Sequence, residues 1–247
     1  MFTISKKTEH KIQEGLNKYK RIIRNAQNKD FNEADTVAII IDMLDEIWGY
    51  DKYEDVTSEY AIRNIYCDLA IKIRNKAKIL IEVKAAGIKL KQDHTRQAVE
   101  YGTNEGTPWV VLTNGAEWHL YKVIFNRKPV VIDHIMEFNL IEMQSRNFED
   151  LEKLYTLTKE GVTKSRSSLD EMFEHHSTVN KYMIGQLILD ESTVAHLRRL
   201  IRKISPDIKV APEVLSELIS NEVLKRDVLD PESTKDYRRI INRKLKD

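Results

Sequence analysis

Between Tyr66 and Tyr101, two short apolar runs carry charges that a buried strand would not ordinarily hold. Asp68 lies in the first run, Tyr66 to Ile73. Glu82 and Lys84 lie in the second, Ile79-Leu80-Ile81-Glu82-Val83-Lys84. Side chains alternate across a strand, so Glu82 and Lys84 point to one face. A carboxylate and an ammonium on an otherwise apolar strand cost free energy unless something uses them. The chemistry that fits is hydrolysis of a phosphodiester. That reaction needs charge neutralisation on the phosphate, an activated water and a stabilised leaving oxygen, and a hard divalent cation held by carboxylates supplies most of this. Asp68 and Glu82 can meet at one cation if the intervening hairpin brings them level. The backbone carbonyl of Val83 lies between the two functional side chains and is a natural further ligand. Lys84 is placed to orient or help deprotonate the attacking water and to hold the phosphate. Burial would lower its proton affinity and the carboxylates would raise it.

The surrounding elements must bring these residues together. The link Arg74-Asn75-Lys76-Ala77 reads as a tight turn, so that Tyr66–Ile73 and Lys78–Ala85 form a hairpin, with Val56–Ile62 as the preceding strand. Upstream, Ser5 to about Asn28 reads as a basic amphipathic helix, with Ile12, Leu16, Tyr19, Ile22 and Ile23 spaced by three or four. Asn32 is an N-cap candidate for a second helix, with Asp35 at the third helical position. Glu33 falls in its first turn, where a carboxylate suits the helix dipole. That helix carries Val37, Ile40, Ile41, Leu44, Ile47 and Trp48 on one stripe and stops at Gly49. Downstream, Gln92–Asn104 reads as a helix and Trp109–Thr113 as a buried strand. Asn114-Gly115 is a turn signal, Trp118–Ile124 alternates as another strand, and Val130–Ile135 adds a sixth. The fold class expected is α/β, a mixed sheet flanked by helices.

From about Glu142 helical periodicity dominates, with helices expected over Leu169–His176, Val179–Asp190, Ser192–Ile204, Ala211–Val223 and Ser233–Leu245. A boundary near residue 145 divides a site-bearing domain, 1–145, from a helical region, 146–247. Within the first, 1–30 is the basic helix and 31–140 the core.

Composition narrows the classes. Apolar residues make up 41% and charged residues 32% of 247, the balance of a soluble globular protein with a charged surface. The net charge is only +1, so total charge gives no pointer to nucleic acid. Its distribution says more. Seven basic residues between Met1 and Asn28 stand against Glu9 and Glu14, although a solvated helix face is the better account of them. Arg198, Arg199, Arg202 and Lys203, and then Arg238 to Lys246, form basic helical segments able to meet phosphates, with a solvated helix face as the better account of them. The single cysteine, Cys67, excludes an internal disulfide and a cysteine-based zinc site. With no signal peptide and no apolar run long enough for a bilayer, a cytoplasmic chain without membrane contact is expected. Gly161-Val162-Thr163-Lys164-Ser165 lacks the first glycine and the strand of a phosphate-binding loop, so no nucleotide cofactor is expected. His175 and His176 are adjacent and face different ways on a helix. His94 and His119 come near the central stretch without metal-ligand spacing.

Asp68 followed by Glu82-Val83-Lys84 after a short β-turn-β resembles the core motif of the PD-(D/E)xK nuclease superfamily. Gln97 and Tyr101 add a QxxxY spacing on the following helix, four residues apart and so on one face. Together with Asn32-Glu33-Ala34-Asp35-Thr36 and Val111-Leu112-Thr113-Asn114-Gly115, the order is similar to the nuclease domain at the N-terminus of type I restriction endonuclease motor subunits, and to RecB-like nucleases. The resemblance covers roughly residues 30 to 125. It implies a restriction-endonuclease-like core, Mg²⁺ (or Mn²⁺) held by Asp68 and Glu82, and Lys84 as the catalytic lysine. It further implies that Gln97 and Tyr101 serve the site or the DNA backbone, and that Glu33 matches an acidic residue completing such sites. Lys89 and Lys91, between strand and helix, are candidate DNA contacts. Cys67 stands where the motif's name has proline, and the helical region is not the ATPase of a motor subunit. The expectation is therefore a metal-dependent endonuclease acting on DNA, in a setting such as restriction–modification and host defence. Its helical region would contact other protein subunits, a second copy or DNA. A non-catalytic DNA-binding or assembly module of the same fold, and a nuclease acting on RNA, are the competing readings.

Overall fold

A computed structural model of the chain describes residues 2–62, 65–125 and 130–245. The chain divides into two compact units, Met1–Phe173 and Glu174–Asp247. The first opens with α1 (Lys6–Asn28), capped by the Ser5 side chain accepting from the Thr8 N–H, and α2 (Glu33–Glu46), capped by Asn32 accepting from the Asp35 N–H. Then come β1 (Val56–Ile62), β2 (Ile65–Ile73), β3 (Lys76–Val83), α3 (Gln92–Glu105), β4 (Trp109–Thr113), β5 (Glu117–Ile124) and β6 (Val131–Asn139). The six strands form one mixed sheet flanked by helices, the fold class expected, and their order is β1-β2-β3-β4-β5-β6.

All neighbours in the sheet are antiparallel except β3 and β4, which run parallel with Ile79 to Val83 opposite Trp109 to Thr113. A parallel pair needs a crossover, and α3 supplies it. β3 has a neighbour on each edge and is covered on both faces, by α1 and α2 over Ile79, Ile81 and Val83 and, over Leu80, by the cluster of Ile62, Cys67 and Ala70, which is why its last five residues are all buried. One sheet face packs on α1 and α2 through Leu69, Ile71, Ile79, Ile81, Trp109 and Val111 with Ile12, Leu16, Ile40 and Leu44. On the other face, Ala98 of α3 packs on Val110, Leu112, Tyr121 and Val123.

Two placements differ from the expectation. The β2–β3 hairpin turns at Arg74 and Asn75 alone, both at positive φ (52° and 61°), and β3 already pairs at Lys76. This is the two-residue hairpin geometry whose twist matches the strands, and asparagine tolerates its left-handed backbone. The first unit also extends past residue 145. The helices α4 (Phe148–Thr156) and α5 (Lys159–Thr163) bury Leu151, Leu154 and Tyr155 in the same core as the sheet. Trp48 Nε1 donates to the Leu154 carbonyl at 3.0 Å and Tyr50 Oη to the Leu157 carbonyl at 2.9 Å.

Residues α6 (Ser168–Thr178) begin in the first unit. The second unit holds α7 (Lys181–Ile188), α8 (Glu191–Ile204), α9 (Pro212–Leu218), a π-turn, a 3₁₀ turn and α10 (Pro231–Leu245). Its small core joins Val194, Leu215 and Ile219. Among the described residues no helix is long and apolar enough to cross a membrane.

The β4–β5 turn fastens the sheet to α1. Asn114 Oδ1 accepts from the Ala116 and Glu117 N–H groups at 3.0 and 2.7 Å, and Gly115 sits at φ +86°. A Cβ there would lie 2.6 Å from Ile23 Cδ1 of α1. Left-handed backbone costs a non-glycine residue roughly 1–2 kcal/mol. Gly115→Ala is therefore expected to lower the thermal midpoint by about 2–4 °C per kcal/mol lost, measured by circular dichroism; an unchanged midpoint would contradict this geometry.

Candidate active site

The sheet opens where the charges sit. Antiparallel pairing of β2 with β3 ends at Leu69 opposite Ile81. One step further, Asp68 is level with Glu82, and the strands part. The Val83 N–H, which would otherwise face β2 unpaired, donates to Asp68 Oδ2 at 2.7 Å. On the other edge, the Lys84 N–H donates to the Thr113 carbonyl at 2.8 Å, so the parallel ladder with β4 holds the backbone of the charged segment in place.

Glu82 is 2% exposed. Its Oε1 accepts from Lys84 Nζ at 2.6 Å, and its Oε2 is buried without a hydrogen-bond partner. Lys84 Nζ also reaches Glu33 Oε2 at 3.5 Å. Glu33 is the first residue of α2, and the start of that helix is tied to the segment after β3 by the Ala86 N–H donating to Thr36 Oγ1 at 3.0 Å. Glu33 thus occupies the first turn, where the dipole favours it, and also faces Lys84; its side chain is 49% exposed.

Electrostatics follow from this packing. Burial pushes the Glu82 carboxyl up to about 7, aided by the charges of Asp68 and Glu33 and opposed by the bond from Lys84. Burial also raises Asp68, against the Val83 N–H. For Lys84, burial acts to lower the ammonium's pKa, but the hydrogen bond and charge of Glu82, with Glu33 and Asp68, outweigh it and the net shift is upward. Of the two opposing effects on this lysine, the carboxylates win. Burial and Glu82 push the neighbouring Cys67 thiol up to about 12, so it is not a nucleophile.

The structure brings Asp68, Glu82, the Val83 backbone, Lys84 and Glu33 together. Gln97 is exposed on α3, a helix packed on the same sheet. Tyr101 lies on α3 too, but its side chain falls outside the described residues. Lys89 and Lys91 are exposed on the connection from β3 to α3. His94 accepts from the Lys91 N–H at 3.3 Å as part of the start of α3. His119 lies in the cross-sheet row of Glu82, since Glu82 pairs with Leu112 and Leu112 with His119.

A buried acid with a raised pKa destabilises the fold once it must ionise. Between the unfolded value near 4.5 and the folded value of about 7 the native state holds more protons, so stability falls as pH rises through that window. In chelator, Glu82→Gln is expected to be more stable than the parent at pH 8 by roughly 2–3 kcal/mol, with the gap closing by about pH 5. Urea denaturation at the two pH values measures it; a variant less stable at pH 8 would show the buried charge to be well compensated.

No curated protein and no solved structure matches the chain. Residues 39–135, from within α2 to within β6, match the family model for the type I restriction enzyme R protein N terminus. Glu33 lies just before the matched segment, and Asp68, Glu82 and Lys84 lie inside it. The resemblance drawn from the spacing of these residues agrees with this match, which covers 97 of the 247 residues, the part of the chain that carries the site.

Proposed function

We propose that the first unit is a divalent-cation-dependent nuclease that hydrolyses DNA phosphodiester bonds, and that Asp68, Glu82 and the Val83 carbonyl hold the cation, with Glu33 beside them. The observation that carries this is Glu82 Oε2, a buried carboxylate oxygen with no hydrogen-bond partner, next to a second carboxylate of raised pKa. An all-oxygen donor set suits Mg²⁺, with Mn²⁺ as a substitute. Such a cation supplies charge neutralisation and an activated nucleophile at neutral pH. Because the Val83 N–H faces Asp68, the carbonyl of the same strand residue is turned to the same side.

The chain's own groups then have separable roles. Lys84 Nζ, kept protonated by its carboxylate neighbours, is suited to draw a phosphate oxygen towards Glu82 and to donate to the departing oxygen. Asp68 orients the Val83 backbone. The exposed Lys89 and Lys91, and Gln97 on α3, are placed for contacts to the DNA backbone, which give affinity without sequence. The family of residues 39–135 makes DNA the favoured substrate over RNA. In the second unit, exposed Leu200, Ile204, Val214 and Leu218 offer apolar contact to other protein subunits or a second copy.

Purified protein is expected to cut plasmid or linear double-stranded DNA with Mg²⁺ or Mn²⁺ and not with EDTA. Asp68→Ala, Glu82→Ala and Lys84→Ala should each slow cutting by at least about 100-fold, some 2.7 kcal/mol. Gel electrophoresis of the products measures this. Cutting that survives EDTA, or that the three substitutions leave unchanged, would remove these residues from the chemistry.

A further inference from the structure

We propose that His119, His134 and Glu137 form a second metal site, for one borderline first-row cation of the zinc class, separate from the carboxylate site. Each offers a ligand atom, and the three atoms lie within 4.8 Å of one another. His119 Nδ1 stands 4.0 Å and His134 Nε2 3.7 Å from Glu137 Oε2. Both separations exceed a hydrogen bond. Donors at roughly 2.0–2.1 Å on a tetrahedral zinc ion stand about 3.4 Å apart, so the cluster closes on an ion with side-chain movements of up to about an ångström.

The backbone is built for this convergence. In a regular strand, residues three apart point to opposite faces, and His134 and Glu137 would not meet. In β6, however, Tyr121 pairs with His134 while Leu120 pairs with Met136, leaving Ile135 as an extra residue. That bulge resets the alternation: Ile135 and Met136 are both buried, and His134 and Glu137 both face outward beside His119, which pairs with Glu137. Bulges re-aim side chains in this way, often near functional sites. The His119 and His134 rings lie 5.6 Å apart. Exposure grades from His119 (23%) through His134 (41%) to Glu137 (65%), which leaves an entry path from solvent.

Two imidazoles and one carboxylate favour zinc, cobalt or nickel over magnesium, the reverse of the all-oxygen set at Asp68 and Glu82. The Tyr121 hydroxyl lies 3.3 Å from His119 Nδ1 and 3.1 Å from Thr95 Oγ1 of α3, so an ion on that nitrogen would take the place of the Tyr121 contact. An ion here would tie the edge strand β6 to β5. In the row shared with Glu82, His119 is two strand spacings, about 10 Å, from Glu82.

The test is equilibrium dialysis of the full chain against Zn²⁺ in excess Mg²⁺, with bound metal quantified, and visible absorption of the Co²⁺-loaded protein. The parent and Asp68→Asn are expected to retain one zinc equivalent and to show the intense visible bands of four-coordinate cobalt. His134→Ala and Glu137→Gln, both at exposed positions, should weaken binding by about tenfold or more and lose those bands, with metal-free melting curves like the parent's. A parent that retains no zinc, or His134→Ala and Glu137→Gln binding it as the parent does, would overturn the proposal. Loss in Asp68→Asn alone would overturn it too, by assigning the ion to the carboxylate site. Because Asp68→Asn removes the nuclease donor and spares the histidines, failure here and failure of the nuclease reading are told apart.

Discussion

One buried carboxylate governs the centre of this molecule. Glu82 lies on β3, enclosed on both faces of the sheet, with one oxygen bound to Lys84 and the other without a partner. Desolvation of a carboxylate costs more than a single ammonium restores. Its pKa rises to about 7 because burial outweighs the bond from Lys84. A strand in this position would be more stable carrying an uncharged residue. Its neighbours add to the burden instead of relieving it, because Asp68 and Glu33 bring two more negative charges to the same ammonium.

The rest of the fold keeps those charges in register. The parting of β2 from β3 at Leu69 creates the gap, and Asp68 fills it by accepting the freed Val83 N–H. The parallel ladder to β4 fixes the backbone through Lys84. The start of α2, tied to Ala86 through Thr36, brings Glu33 to the lysine. None of these contacts depends on the second unit, whose own core is small. What the pieces share is an excess of negative charge at one end of β3, the condition a divalent cation relieves.

Much of this was legible in the sequence because it is local. The apolar runs fixed the strands, the two-residue spacing of Glu82 and Lys84 their common face, and Asn32 with Asp35 the start of α2. The parts that were not legible are non-local. The stripe of α4 shows an apolar face but not which core it joins; only tertiary contacts such as Trp48 to Leu154 decide that. The direction of the Lys84 shift depended on how many carboxylates the fold assembled around it. Nothing local pairs His134 with Glu137, because strand alternation separates residues three apart. The consecutive apolar pair Ile135-Met136 between them was the available sign of a bulge.

The most direct measurement of the central claim is the location of Mn²⁺ by anomalous scattering from crystals grown with the ion. A peak within about 2.2 Å of carboxylate oxygens of Asp68 and Glu82 and of the Val83 carbonyl, with Lys84 Nζ drawn off Glu82, is the predicted result. An intact Lys84–Glu82 pair with no peak between Asp68 and Glu82 at saturating Mn²⁺ would contradict it.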